Sequence, residues 1–186
     1  HHLNMQSSTA VLAKNGRVVL WVNAEDVRSD DMVLTPEVVD QSPQSVPQWP
    51  GRCRNMPGPL SVDSEVAWLF GLYAADGSAE TGHKATITLA NHENAHVGRC
   101  ISAWRKLGME PSVYRKKNCL RITVFSAVVA RAFKLWFGAK TEKHLPEWLM
   151  NGWDKQALLD GLLAGDGGIL PTRRVYFVNT SKTLAY

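Results

Sequence analysis

Asp76 and Asp166 close two apolar segments that are near copies of each other. The first reads Leu69-Phe70-Gly71-Leu72-Tyr73-Ala74-Ala75-Asp76-Gly77, and the second, 90 positions later, Leu159-Asp160-Gly161-Leu162-Leu163-Ala164-Gly165-Asp166-Gly167. Each sets a glycine four residues before a small residue, Gly71 with Ala75 and Gly161 with Gly165. On a helix that spacing puts both on one face, where a partner backbone can approach closely. Two such helices packed together would deliver both carboxylates to one point. Like charges so close force one of them to hold a proton, whereas a hard divalent cation that prefers oxygen ligands, Mg²⁺ or Mn²⁺, removes the conflict. Metals held between two carboxylates can activate water and stabilise a leaving oxygen, which is what phosphodiester hydrolysis requires. The carbonyls of Ala75 and Gly165, left free at the helix ends, are further oxygen donors. The glycine after each aspartate is expected to end its helix in the left-handed conformation. A single such segment reads equally well as an ordinary capped amphipathic helix; the duplication is what points to a site.

The elements that must hold these aspartates follow from periodicity and punctuation. Asp63 or Ser64 is the expected cap of the first motif helix. After Asp76, Lys84 to Ala90 alternates as a half-buried strand, with Ala85, Ile87 and Leu89 on one face and Lys84, Thr86 and Thr88 on the other. A helix is expected from Asn94 to Leu107, stopped by Gly108, then strands Val113 to Arg115 and Leu120 to Phe125 joined through Lys116-Lys117-Asn118, then a helix Ala127 to Phe137 closed at Gly138. The pattern restarts at Asp154 and runs through one further strand, Arg174 to Val178, to the start of a helix at Ser181. Upstream, Val11 to Lys14 and Arg17 to Val22 flank Asn15-Gly16, the dipeptide that best suits a two-residue hairpin turn. Residues 41–60 carry five prolines and two glycines and mark a boundary.

Composition narrows the partners. With 45% apolar residues and seven tryptophans the 186-residue chain can bury a core. The net charge of +4 is unevenly spread: residues 81–140 hold eleven Lys or Arg against two acids, a balance of +9, while residues 1–60 hold five against six, a balance of −1. The footprint of a polyanion therefore belongs to the middle of the chain. Cys53, Cys100 and Cys119 lack metal-ligand spacing and fit free thiols in a reducing compartment, so the chain is expected in the cytoplasm with nucleic acid rather than secreted. His83, His92, His96 and His144 form no metal-ligand pattern. No apolar run reaches the length of a membrane span, and no membrane partner is expected. The chain opens on His1-His2 and stops at Tyr186 within a pattern, and we expect a fragment cut at both ends.

The duplicated segments resemble the motif of the LAGLIDADG homing endonucleases, specifically the double-motif kind found inside inteins. The eighth motif position, Asp76 and Asp166 here, is the metal ligand at the scissile phosphates in that family. The sixth position, often aspartate there, is Ala74 and Ala164 here, which spares the metal site. The resemblance implies an α+β fold of αββαββα repeats, the first complete over 61–145 and the second truncated over 146–186, in a monomer with pseudo-two-fold symmetry. It also implies double-stranded DNA as partner, held on the open face of a twisted sheet, where Lys or Arg binds phosphates and Arg, Thr and Asn address base edges. The candidates on that face are Lys84, Thr86, Thr88, Arg115, Lys117, Arg121 and Thr123, against the simpler reading that such residues suit any exposed strand. Lys143-His144-Leu145-Pro146 resembles the Lys-x-x-Pro segment that carries a catalytic lysine in intein endonucleases, which transfers to Lys143 a role in polarising water or offsetting phosphate charge; a surface lysine before a proline-initiated helix is the plainer alternative. Ala24 to Val33 resembles a segment of the intein splicing (Hint) domain, with Asp30 where glycine is usual. Residues 1–45 are thus expected to be part of a splicing domain, 46–60 a linker, and His1 or His2 the histidine that assists the first acyl shift. The upstream nucleophile and the downstream His-Asn are not in the chain, which is not expected to splice as it stands. The function implied is site-specific cleavage of double-stranded DNA. The competing readings are an inactive DNA-binding regulator or RNA maturase of the same fold, and a chain that serves chiefly in splicing alongside host exteins.

Overall fold

A computed structural model of the chain describes residues 8–12, 19–23, 32–33, 46–80, 82–150, 153–169, 175–179, 181 and 184. The chain divides into two compact units, His1–Val39 and Asp40–Tyr186. In the first, β1 (Ser8–Leu12), β2 (Val19–Asn23) and β3 (Met32–Val33) form an antiparallel sheet of order β2-β1-β3. Leu12 pairs with Val19 and Ser8 with Asn23, so the pairing closes around the connection that contains Asn15-Gly16. That turn, His1, His2 and the segment 24–31 lie outside the described residues.

The second unit runs α1 (Ser64–Asp76), β4 (Gly77–Glu80), β5 (Lys84–Ala90), α2 (Asn94–Lys106), β6 (Ser112–Arg115), β7 (Cys119–Val124), α3 (Ala127–Phe137), α4 (Glu147–Met150), α5 (Lys155–Asp166), β8 (Gly167–Ile169) and β9 (Val175–Phe177). The four-stranded antiparallel sheet has order β4-β5-β7-β6, and β8 and β9 pair separately. β4 and β8 leave directly from the two aspartates, where Gly-Ser-Ala-Glu and Gly-Gly-Ile carry no alternation to announce a strand. The helix expected at Ser181 lies mostly outside the described residues.

α1 is the centre of this unit. Asp63 caps it by accepting hydrogen bonds from the N–H groups of Glu65 and Val66, and every residue from Val66 to Ala75 is buried. A helix apolar on all sides belongs inside a core, and here the core closes around it: Ala85, Ile87 and Leu89 of β5, Leu120, Ile122 and Val124 of β7, Trp104 of α2 and Phe133 and Phe137 of α3. The Tyr73 ring meets Phe133 edge-on at 4.5 Å, and Phe70 meets the same ring edge-on at 5.6 Å. The helices thus cover one face of the sheet and leave the other open.

The stretch 46–60, expected as a linker, lies in the second unit and packs onto it. Trp49 sits 5.2 Å from Trp136, Pro57 is buried, and the Gly58 N–H donates to the Leu107 carbonyl at 2.8 Å. Proline and glycine rule out a regular element there without ruling out a fixed path.

Candidate functional site

Two helices carry the site, and glycine brings them together. A Cβ on Gly71 would stand 2.1 Å from the Leu158 carbonyl oxygen of α5, and one on Gly161 would stand 2.0 Å from the Trp68 carbonyl oxygen of α1. The contact is reciprocal, backbone on backbone, and among the described elements no other pair packs as extensively. Four residues on, Gly165 lies against the tip of α1, where its absent side chain makes room for Ala75 and for the Asp76 carboxylate, whose Oδ2 would be 2.9 Å from a Cβ. Asp76 and the end of α5 are therefore in direct contact.

The glycines after the aspartates act differently from expectation. Gly77 has φ −83° and Gly167 φ −113°, extended backbone rather than left-handed, because each chain turns straight into a strand. Glycine is needed there for space: a Cβ on Gly77 would be 2.3 Å from the Tyr73 carbonyl oxygen, and one on Gly167 2.7 Å from the Leu163 Cα.

Lys143 enters the same point from a tight turn. Gly138, at φ +67°, ends α3, the His144 N–H closes the loop onto the Phe137 carbonyl at 3.0 Å, and a single 3₁₀ turn at Lys140–Glu142 precedes the lysine. The Lys143 ammonium donates to the Ala75 carbonyl at 2.7 Å and reaches toward that of Tyr73 at 3.5 Å. It thereby occupies one of the oxygens expected to serve a metal. Burial lowers its pKa, opposed by the charges of Asp166 and Asp76. Asp76 is pushed up to about 6, chiefly by burial, then by the charges of Asp166 and Glu93, with Lys143 pulling the other way. Asp76 and Lys143 are thus both partly withdrawn from water, with Asp166 near enough to act on each.

Sequence reasoning missed the residues that hold Asp166. Its carboxylate accepts a hydrogen bond from the Asn179 side-chain amide, and its backbone carbonyl accepts one from the Val178 N–H at 2.9 Å. Ser181 links onward, donating its N–H to Asn179 Oδ1 at 2.7 Å and its hydroxyl to the Lys143 carbonyl. Asn179 follows a short strand with no pattern of its own, and only the pairing of β8 with β9 carries it back to the aspartate. The donor set is of the kind a hard cation takes, two acidic side chains at adjacent helix ends. Among the described residues no cluster of three or more His, Cys, Asp or Glu could hold a metal ion.

The open face of the sheet adjoins this point through β4. Strand register sorts the expected contacts. Thr88 pairs with Arg121, and Arg121 with Tyr114, in one row; Ser78, Thr86, Thr123 and Ser112 form the next row across all four strands. Arg121 and Tyr114 are exposed and Lys84 and Thr88 half-exposed. Thr86 and Thr123 are only 7% and 4% exposed, and their hydroxyls bond each other at 3.0 Å, so they floor the surface rather than project from it. Arg115 pairs with Leu120, which gives it the parity of the covered face, yet it is exposed at the edge strand and borders the depression above Arg121. Lys117 is exposed in the β6–β7 connection at the far end. Tyr114 and Ser78, which register alone reveals, belong to the open face as well.

The family profile of the LAGLIDADG-like domain matches residues 63–136, from the cap of α1 to the last turn of α3. Over that stretch the chain is similar to the LAGLIDADG-like domain, and its elements there are mixed α+β. The match includes Asp76 and stops short of Lys143 and Asp166, whose assignment rests on their packing against α1. A search of curated proteins found no match.

Proposed function

We propose that this chain is the cutting part of an intein-encoded homing endonuclease, hydrolysing both strands of a specific DNA site with a divalent metal at Asp76 and Asp166. The observation that carries the reading is the glycine-mediated contact of α1 and α5, which sets Asp76 against the end of α5 with Lys143 beside it, next to a sheet face bearing Arg121, Lys84 and Thr88. DNA laid on that face would present its backbone to the aspartates. Mg²⁺ held there would supply a polarised water and charge stabilisation at the phosphate. The chain's own residues do the rest. Asn179 holds one oxygen of Asp166, Gly165 leaves space for the Asp76 carboxylate, and the Lys143 ammonium balances the two acids until phosphate arrives, then faces its developing charge. The intein setting is supported by the antiparallel strands of the first unit, and the free thiols Cys53, Cys100 and Cys119 are compatible with the cytoplasm.

A second reading has an observation of its own. The Lys143 ammonium lies within the influence of both acids and bonds the Ala75 carbonyl, as would suit a DNA-binding module that has no need of metal. One experiment separates the two: the protein incubated, in the presence of Mg²⁺, with its host gene lacking the insertion. Double-strand cleavage that is lost in Asp76→Asn with DNA binding retained supports the nuclease. Binding without any cut leaves the binding module.

A further inference from the structure

The cleft of about 510 Å³ at the Lys84 end of the sheet lies between the stretch 53–55 on one side and, on the other, the β4–β5 end with Glu80 and Lys84 and the entry to α3. This stretch is bonded in place: the Asn55 side chain donates to the Phe125 carbonyl at 3.0 Å, and the Ser126 hydroxyl donates to the Asn55 carbonyl at 2.8 Å. Arg54 lines the cleft between these anchors, exposed, with no hydrogen-bond or ion-pair partner among the described residues. The one acid in the lining, Glu80, is already paired with Lys84 at 3.1 Å. The guanidinium of Arg54 is therefore the unopposed charge of the cleft. Glu80 and Lys84 also border the depression over Thr88 and Arg121, so the cleft and the open face form one continuous surface.

We infer that residues 53–55 act as a strap that extends the nucleic-acid surface past the end of the sheet, with Arg54 binding a backbone phosphate of duplex DNA that flanks the segment read by the strands. The inference rests on the DNA-binding part of the reading above. A duplex crossing the face must leave it at an edge, and Arg54 is a cation carried on a tethered stretch at the edge where the cleft opens. Arginine suits the task because its planar fork donates to two phosphate oxygens at once. The Cys53 thiol adds a further tie within the strap, donating to the Asn55 carbonyl at 3.2 Å.

Binding of the whole chain to a random-sequence duplex, followed by fluorescence anisotropy across a salt series, tests this. Arg54→Ala is expected to weaken binding roughly 3- to 10-fold and to reduce the salt slope by about 0.9, the value for one lost phosphate contact, while Arg54→Lys keeps the slope. Arg105→Ala, which removes an arginine paired with Glu110 at the end of α2, is expected to leave both unchanged. With Cys119→Ser in the background, duplex is expected to slow alkylation of Cys53. If Arg121→Ala loses affinity while Arg54→Ala keeps both affinity and slope, the strap inference is overturned and the DNA-binding reading stands. If neither arginine matters, both fall together.

Discussion

The two motif helices share a small-residue spacing and a terminal aspartate but have quite different surroundings. α1 is enclosed on every side by sheet and helices, whereas α5 buries Ala157, Leu158, Gly161 and Leu162 against α1 and leaves Leu159 47% exposed. The aspartates at their tips differ in the same sense. Asp76 is held by burial, with its pKa raised to about 6; Asp166 is held by a hydrogen bond from Asn179. A duplicated motif therefore fixes how two helices meet and leaves open what each carboxylate experiences.

The severest way to break the pair is at the acids. Asp76→Asn or Asp166→Asn is expected to reduce DNA cleavage by ~10³-fold or more while affinity is kept, as measured by single-turnover cutting beside anisotropy. If only one substitution abolishes cutting of both strands, the two sites do not share the work. The leucines at matching motif positions give the sharpest contrast in stability. Leu69→Ala, in the closed core, is expected to cost about 2–5 kcal/mol in urea unfolding, and Leu159→Ala no more than about 0.5 kcal/mol.

Gly71→Ala and Gly161→Ala press a methyl on a partner carbonyl and are expected to cost about 2–3 kcal/mol each and, by moving α1 and α5 apart, to reduce cleavage as well. Gly165→Ala meets the Asp76 carboxylate instead, so its loss of cleavage should exceed its loss of stability.

The environments can also be separated by pH. The fold disfavours ionised Asp76, so the stability available with it neutral, below about pH 4, is lost as pH rises through about 6. Without metal, Asp76→Asn should therefore melt higher than the parent at pH 8, by about 1–2 kcal/mol after allowance for partial exposure, and match it near pH 4. Mg²⁺ should close that gap and EDTA reopen it. An Asp76→Asn protein no more stable at pH 8 than at pH 4, relative to the parent, would remove burial as the difference between the two acids. The gentlest probe is Asn179→Ala, expected to raise the Mg²⁺ requirement roughly 10-fold through Asp166 alone.

Much of the fold was legible because local signals agreed. Asp63 before a polar-to-apolar step marked the start of α1, Gly108 and Gly138 marked the ends of α2 and α3, and alternation in 84–90 and 120–124 marked the strands facing the core. The contact of the two helices that carry the candidate site was legible where residues repeat, Gly71 with Gly161. Thr86 and Thr123 were harder. Alternation put them on the outer face correctly, but only the pairing of their strands shows that they satisfy each other and lie almost buried. Asn179, Ser181 and the strap at 53–55 had no periodic or motif signal at all. Their contacts span 13 to 73 residues of chain, and single-residue types such as Asn, Ser and Arg look the same whether they face solvent or a partner.

The chain's sequence alone determined that two small-faced helices end in aspartate and that basic residues gather in its middle third, because spacing and charge are properties of the covalent string. Tertiary structure alone decided that Gly77 and Gly167 serve space rather than a turn, that Lys143 reaches the Ala75 carbonyl, and that one acid is desolvated while the other is hydrogen-bonded. Those outcomes depend on which atoms exclude water from which others, and that is settled only when distant segments pack.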